Sequence, residues 1–197
     1  MNRREYIKQT ALFLGYTLSA TAVSEVMLSC KTQADLAWKP VFFDNNQANL
    51  IAEIAETILP KTNTPGAKEL GVPQFIDKML KLTTDEAGQK GLIKGLEDFE
   101  KACSDKYGKD FTELDAKQRQ EFLIAQDKAS PAFPISMWGI MLDPNPQPIT
   151  FYRRIKSMVL MGYYSSEKIG EDVLAYSPVP GQYKGCVPYK GQNAWSE

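Results

Sequence analysis

Among the side chains that enzymes use most often for chemistry, one type is missing from this sequence. The 197-residue chain contains no histidine, the commonest general acid or base and the commonest metal ligand in proteins. Catalytic pairs of serine or cysteine with histidine are therefore excluded. The three cysteines, Cys30, Cys103 and Cys186, are too few and too scattered for an iron–sulfur cluster or a four-cysteine zinc site. We expect no metal and no redox cofactor in this chain.

Carboxylates are the remaining candidates for acid–base catalysis. Glu53 and Glu56 lie beside an apolar stripe of helical spacing, and Asp77 follows in the next periodic segment. Carboxylates beside such a stripe usually form a solvated face or cap a backbone group. A hydrolase would need a carboxylate pair in one cleft, and nothing in the spacing supports one. The sequence therefore predicts no catalytic residue.

The first thirty residues have the organisation of an export leader. Arg3 and Arg4 precede an aromatic residue, an aliphatic residue and a lysine, and an apolar stretch follows at 11–23. The arginine pair resembles a twin-arginine signal, which exports proteins already folded. The apolar stretch is shorter than the roughly 20 residues that span a membrane. An ordinary amphipathic first helix is the alternative interpretation.

Cys30 resembles the cysteine of a lipoprotein signal, with a small residue before it. On this hypothesis the chain is cleaved before Cys30 and anchored by a diacylglyceryl group, whereas the alternative is simple cleavage nearby. The expected location is the periplasm, at the membrane. The whole chain has 23 basic against 24 acidic residues, which gives no electrostatic footprint for nucleic acid or an anionic membrane. The lipid anchor is then the only expected membrane contact.

The other two cysteines raise the question of a disulfide. Cys103 falls on the apolar stripe of a predicted helix, where a thiol can pack as a small hydrophobe. Cys186 lies in a tail rich in glycine and proline, so deep burial is not expected. In an oxidising compartment they can pair with each other or with a partner chain. The internal bridge is slightly preferred and would stabilise the fold by roughly 2 to 4 kcal/mol.

Hydrophobic periodicity divides the chain into a leader at 1–30, a tether at 31–44 and one helical domain at 45–197. The domain is predicted to be all-α, a compact, irregular arrangement of about five helices, since no stretch shows strand alternation. Expected starts are the asparagines that would cap the first helix, Pro73 for the second, Thr84 and Asp85 for the third, an Asp115–Gln118 capping box for the fourth and Pro148 for the fifth.

Two segments of this domain lack helical periodicity. Residues 131–148 form a proline-rich excursion with a short helix expected at its centre, and an extended tail begins at Ser177. Aromatic residues near backbone-permissive ones make the best candidates for a partner interface, although packing on their own domain is equally consistent with the sequence. The candidates are Tyr163, Tyr164, Tyr176, Tyr183 and Tyr189. Arg153 and Arg154 can contact acidic groups of a partner or serve as surface charge.

An ordered series of short motifs resembles one known family. The motifs are IAETILP at 54–60, PGA at 65–67, GVPQFID at 71–77, GLE at 95–97, YGKDF at 107–111 and the stretch 151–165. In this order, and behind a twin-arginine leader, they resemble the gluconate 2-dehydrogenase subunit 3 family over nearly the whole chain. The order of the motifs makes this resemblance specific.

This resemblance implies a small helical subunit of a periplasmic dehydrogenase complex. The implied partner is a large FAD-dependent flavoprotein of the glucose-methanol-choline type, which often passes electrons to a cytochrome c. The resemblance carries no catalytic motif onto this chain, so the implied roles are maturation, co-export and stability of the flavoprotein. The expected function is a non-catalytic accessory subunit of a sugar or polyol dehydrogenase. The alternative is a free-standing periplasmic lipoprotein that binds carbohydrate or scaffolds envelope proteins.

Overall fold

The structure is a computed structural model that describes residues 36–133, 136–137, 140–175, 181, 186 and 188–194. Within this part of the chain the fold is all-α, as predicted, with one minimal strand pair. The elements in chain order are α1 Asn45–Ile58, α2 Val72–Thr83, α3 Glu86–Tyr107, a 3-10 turn Phe111–Glu113, α4 Ala116–Ala129, β1 Ser136–Met137, β2 Ile140–Met141, α5 Phe151–Tyr164 and α6 Glu167–Asp172.

Short local signals determine where the helices begin. The Asp115 carboxylate accepts the Gln118 N–H at 2.8 Å, and the Gln118 side chain accepts the Asp115 N–H at 3.3 Å. The predicted capping box of α4 is therefore confirmed. A second capping box, formed by Asp44 and Gln47, starts α1. The expected asparagine caps of α1 were therefore wrong by one residue, because the preceding carboxylate satisfies the free N–H group.

Three local predictions need correction. Pro148 does not open α5; Thr150 caps that helix and accepts the Arg153 N–H at 3.3 Å. The short helix expected in the proline-rich excursion is replaced by antiparallel pairing of β1 with β2. The short helix α6 was not predicted, because six residues are too few for a clear period. Each error falls where prolines or short length weaken the helical signal.

The core forms where α5 crosses the earlier helices. A Cβ added to Gly162 of α5 would lie 2.7 Å from the Phe75 ring on α2. A Cβ added to Gly95 of α3 would lie 2.7 Å from the Phe151 side chain. These two glycines therefore let α5 approach both α2 and α3 closely. Fully buried aliphatic side chains fill the space between the helices: Leu50, Ile51, Ile54, Ile76, Leu80, Leu96, Ile155, Val159 and Ile169.

A buried carboxylate holds the segment that precedes α1. Asp77 of α2 is fully buried, and its oxygens accept the backbone N–H groups of Val41 at 2.7 Å, Phe42 at 3.0 Å and Phe43 at 2.9 Å. Hydrogen bonds to an ionised acceptor are stronger than neutral ones, and a buried polar group left without a partner is costly. Asp77 therefore fastens residues 36–44, here called the N-terminal strap, to α2.

The strap corrects the predicted domain boundary. Residues 31–44 were expected to form a tether, but Leu36, Trp38 and Phe42 pack against the core and Phe43 is buried. The compact unit begins at Leu36. This segment is irregular and has no hydrophobic periodicity. The sequence therefore does not predict that it packs against the core. The rest of the predicted tether lies outside the described residues.

Candidate functional site

Glu53 and Glu56, the two carboxylates considered as a possible acid pair, have different structural roles. Glu53 of α1 accepts hydrogen bonds from Lys68 and from Arg119 of α4. Burial opposes ionisation of Glu53, but the hydrogen bond and charge of Lys68, with those of Arg119, outweigh it and lower the pKa of this carboxyl. Glu53 therefore stays ionised and links α1 to α4 through its ion pairs. A carboxylate held in this state is unsuited to proton transfer near neutral pH.

Glu56, one turn later, organises the loop after α1. Its two carboxylate oxygens accept the backbone N–H groups of Lys61 at 3.1 Å and Lys68 at 2.9 Å. Gly66 lies so close that an added Cβ would be 2.5 Å from Glu56 Oε1. A side chain at position 66 would therefore displace the carboxylate. Glu56 therefore holds the loop through backbone N–H groups, although it lines the same cleft as Glu53.

The space between α1 and α4 forms a groove of two clefts, here called the seam groove. The cleft nearer α5 has a volume of about 300 Å³ and is lined by Thr57, Ile58, Gln120, Leu123, Ile124, Asp127, Lys128, Tyr152 and Lys156. The cleft nearer the loop has a volume of about 320 Å³ and is lined by Glu53, Glu56, Thr57, Pro60, Ala116, Arg119 and Gln120. Thr57 and Gln120 line both clefts, so the two adjoin along the helix pair.

Positive charge gathers at the α5 end of the seam groove. Lys156 donates to Asp127 at 2.8 Å, and Arg153 lies 3.4 Å from the same carboxylate oxygen. The hydrogen bond from Lys156 is the main reason that the pKa of Asp127 is lowered. Lys128 also lines this cleft. Two cations pair with Asp127 and a third lines the same cleft, so positive charge is in excess at the α5 end.

Arg153 makes hydrogen bonds within its own chain that the sequence did not predict. Its Nη2 donates to the backbone carbonyls of Asp127 at 3.3 Å and Ser130 at 3.1 Å. The Ser130 hydroxyl in turn pairs with the Thr150 hydroxyl at 2.8 Å. Arg153 thus closes the end of α4 against the start of α5. Its predicted use as a partner contact is corrected to an internal link, whereas Arg154 is exposed.

Tyr152 adds a neutral hydroxyl to the same cleft. Its side chain is 5% exposed and lines the cleft near Lys156. Burial, and next the negative charge of Asp127, raise the pKa of Tyr152 to about 12. The hydroxyl therefore keeps its proton at neutral pH and can donate a hydrogen bond.

The aromatic interface candidates separate into different environments. Tyr163 is buried, and its hydroxyl donates to the Pro65 carbonyl at 3.0 Å, so its assignment to an interface is corrected to a core role. Tyr164 is 52% exposed and follows Met161, which is 47% exposed, on α5. Tyr189 is 81% exposed. Tyr176 and Tyr183 lie outside the described residues. Tyr164 and Tyr189 remain available to a partner.

The two cysteines of the domain are both free thiols in the structure. Cys103 is fully buried and its thiol donates to the Lys109 carbonyl at 3.7 Å, whereas Cys186 is exposed. Burial raises the pKa of Cys103 to about 11, so its reactive thiolate is scarce. The internal bridge is therefore not formed here, because core packing encloses Cys103. Arg3, Arg4 and Cys30 lie outside the described residues.

Among the described residues, no group of three or more cysteine, aspartate or glutamate side chains is placed to hold a metal ion. In the same part of the chain, no helix has the length and apolar character needed to cross a bilayer. Tyr152, Lys156, Asp127 and Ile124 were missed by sequence reasoning. Their positions on two separate helices show no signal until the helices pack together.

Comparison with known proteins identifies the family to which the chain belongs. A family model described as gluconate 2-dehydrogenase subunit 3 matches residues 45–181, which is most of the chain and nearly all of its helical domain. The chain belongs to the gluconate 2-dehydrogenase subunit 3 family. No curated protein and no solved structure gives a significant match. The sequence-based recognition of the family is therefore confirmed.

Proposed function

We propose that this chain is the non-catalytic accessory subunit of an exported, FAD-dependent sugar or polyol dehydrogenase of the glucose-methanol-choline type. The observation that carries the proposal is the family match across residues 45–181. Membership implies a component of a multi-subunit dehydrogenase. The finer description, in which this chain supports maturation, co-export and stability of a catalytic flavoprotein, rests on the leader and on the site.

The chemistry of the described residues supports an accessory role. Glu53 and Asp127 are both bound to cations, and Asp77 is saturated by three backbone donors. Side chains held in this way stabilise structure and are poorly suited to exchanging protons with a substrate. We expect FAD in the catalytic partner, and a cytochrome c as a further partner that accepts its electrons. The partner flavoprotein would carry out the oxidation.

The leader supports a periplasmic site of action. Arg3 and Arg4 match a signal for export of folded proteins. Such a route suits a cofactor-free chain that leaves the cytoplasm together with a partner already loaded with FAD. Cys30 would then anchor the exported complex through a lipid. Replacement of both arginines by lysine is expected to leave the chain in the cytoplasm, as measured by fractionation of cells expressing the full-length protein.

An affinity purification from the native envelope tests the proposed function. The tagged full-length chain is expected to bring down a large second chain with the absorbance spectrum of a flavin and with sugar-dependent dye reduction. The responding sugar identifies the substrate. A colourless, inactive, single chain from an intact envelope would contradict the proposal and would favour the free-standing lipoprotein. Mass spectrometry of the amino-terminal peptide in the same preparation shows whether Cys30 is lipidated.

A further inference from the structure

The seam groove has the shape of a site for an extended chain. Its two clefts, of about 300 and 320 Å³, meet at Thr57 and Gln120 and follow the contact of α1 with α4. Small-molecule sites usually have volumes of about 300 to 1,000 Å³ and bury most of the ligand. Each cleft is at the lower limit of this range. Two small adjoining clefts suit successive side chains of a polypeptide better than a single compact ligand.

The charge at the α5 end indicates which side chain this cleft would accept. Asp127 pairs with Lys156 and Arg153, and Lys128 also lines this cleft, so these groups carry three positive charges against one negative charge. Tyr152 lines the same cleft, and its hydroxyl keeps the proton that it can donate to a ligand. A tyrosine hydroxyl beside a lysine ammonium provides two donors for one carboxylate. The α5 end therefore fits an aspartate or glutamate side chain.

The wall of the same cleft provides an apolar contact. Ile124 is 47% exposed, although Phe122 and Leu123, which precede it on α4, are buried. Ile58 and Leu123 line the cleft together with Ile124. Covering a half-exposed isoleucine removes apolar surface from water and favours association. An aliphatic side chain next to the acidic one would complete this contact.

We propose that the seam groove binds an acidic and aliphatic segment of the catalytic flavoprotein, with its carboxylate at Tyr152 and Lys156 and its aliphatic side chain against Ile124. This inference rests on the proposed function and specifies the surface through which that function is performed. The occupant is a protein segment, since the groove is elongated and carries charge at one end. The exposed patch of Met161 and Tyr164 on α5 is the competing surface.

The test measures the flavin recovered with the tagged full-length chain from the native envelope, per mole of chain. Ile124→Asp is expected to lower this ratio at least tenfold, because it puts a charge into the apolar contact. Met161→Asp is the matched control, because Met161 has the same 47% exposure as Ile124. Met161→Asp is expected to keep the wild-type ratio. Neither side chain is buried, so both variants are expected to fold.

A second pair of variants tests the carboxylate site. Tyr152→Phe removes the hydroxyl and retains the ring, and it is expected to weaken flavin recovery roughly fivefold to tenfold. Tyr163→Phe is its control, since that hydroxyl is bonded to Pro65 away from the groove. Tyr163→Phe is expected to lower thermal stability without changing flavin recovery. This contrast separates loss of a partner contact from loss of folding.

The outcomes distinguish the groove from the proposed function. Wild-type chain that recovers no flavin overturns both proposals. Flavin recovery that is unchanged by Ile124→Asp and Tyr152→Phe overturns the groove and leaves the accessory function standing. Loss of recovery on Met161→Asp alone moves the interface to the α5 patch and also overturns the groove. Loss on the groove variants with both controls intact supports the proposal.

Discussion

The N-terminal strap and the seam groove both depend on carboxylates, but they use them differently. At the strap, Asp77 is fully buried and all three of its donors are backbone N–H groups. At the seam, Glu53 and Asp127 are 19% and 36% exposed and are bound by long, flexible cations. The strap is therefore held firmly against α2. The seam keeps charges within reach of solvent and of a partner.

Burial accounts for the difference. A buried carboxylate that loses its donors, or buried donors that lose their acceptor, carry the full desolvation penalty. When a surface ion pair breaks, water solvates both charges, so such a pair typically contributes less than about 1 kcal/mol to stability. Mutations at the strap should therefore affect folding, whereas mutations at the α5 end of the seam should affect binding.

The largest effect is expected at the strap. Asp77→Ala leaves three backbone N–H groups without an acceptor, and it is expected to lower the free energy of unfolding by roughly 3 kcal/mol. The residues preceding α1 should also become susceptible to proteolysis. Urea unfolding followed by circular dichroism gives the free energy, and limited digestion with mass spectrometry locates the cleavage.

Asp115→Ala is the matched control for the strap. Asp115 also accepts a backbone N–H group, but it is exposed and caps α4 through a single such bond. Loss of a helix cap is expected to cost about 1 kcal/mol. If Asp77→Ala proved no more destabilising than Asp115→Ala, the distinction between the strap and a surface contact would be lost.

An intermediate effect on stability is expected at Glu53, the half-buried carboxylate of the seam groove. Glu53→Gln removes the charge that binds Lys68 and Arg119, and it is expected to lower the free energy of unfolding by roughly 1 to 2 kcal/mol at neutral pH. The lowered pKa means that ionised Glu53 stabilises the fold above the ordinary value of 4.5. This stabilisation disappears as the pH falls through the folded-state pKa.

The pH dependence provides the check on Glu53. The difference between wild type and Glu53→Gln should be constant near neutral pH and should shrink below about pH 4.5, as measured by urea titrations over that range. Glu69→Gln is the control, because Glu69 also pairs with two cations, Lys61 and Lys168, but is more exposed than Glu53. It is expected to leave stability unchanged near neutral pH. A difference that persisted in acid would show that Glu53 acts through packing and not through charge.

The smallest effect on stability is expected at the α5 end of the seam. Lys156→Gln breaks a solvent-accessible pair with Asp127 and should change the free energy of unfolding by less than about 1 kcal/mol. The same variant should reduce flavin recovery from the native envelope, because the carboxylate site loses its ammonium group. A variant that unfolded readily, or one that retained full recovery, would contradict the separation of binding from folding.

Much of the fold was accessible from the sequence because its signals are local. Residues four or fewer apart determine the Asp115–Gln118 capping box, and Gly108 ends α3 in a left-handed conformation. The family was recognisable from an ordered set of short motifs. The errors occurred at Pro148 and in the strap, where partners distant in sequence or a neighbouring cap decide the conformation.

Site residues were harder to predict because their roles depend on contacts between helices. Tyr163 and Tyr164 are adjacent in sequence, yet one is buried with a bonded hydroxyl and the other is half-exposed. Sequence grouped them as interface candidates, and only the packing of α5 against α2 and the loop separates them. Cys103 was placed correctly on an apolar stripe, where the sequence left both a buried thiol and a disulfide open, and only the packed core decides between them.

The sequence by itself determined the helical class, most helix boundaries, the lack of histidine chemistry and the family, since each depends on composition or on neighbours along the chain. Only the tertiary structure decided that Asp77 fastens the strap, that Glu53 joins α1 to α4, and that Tyr152 meets Lys156 beside Ile124 in one groove. These contacts join residues as many as 66 positions apart along the chain. Periodicity records which face of a helix is buried, but it does not record which other helix covers that face.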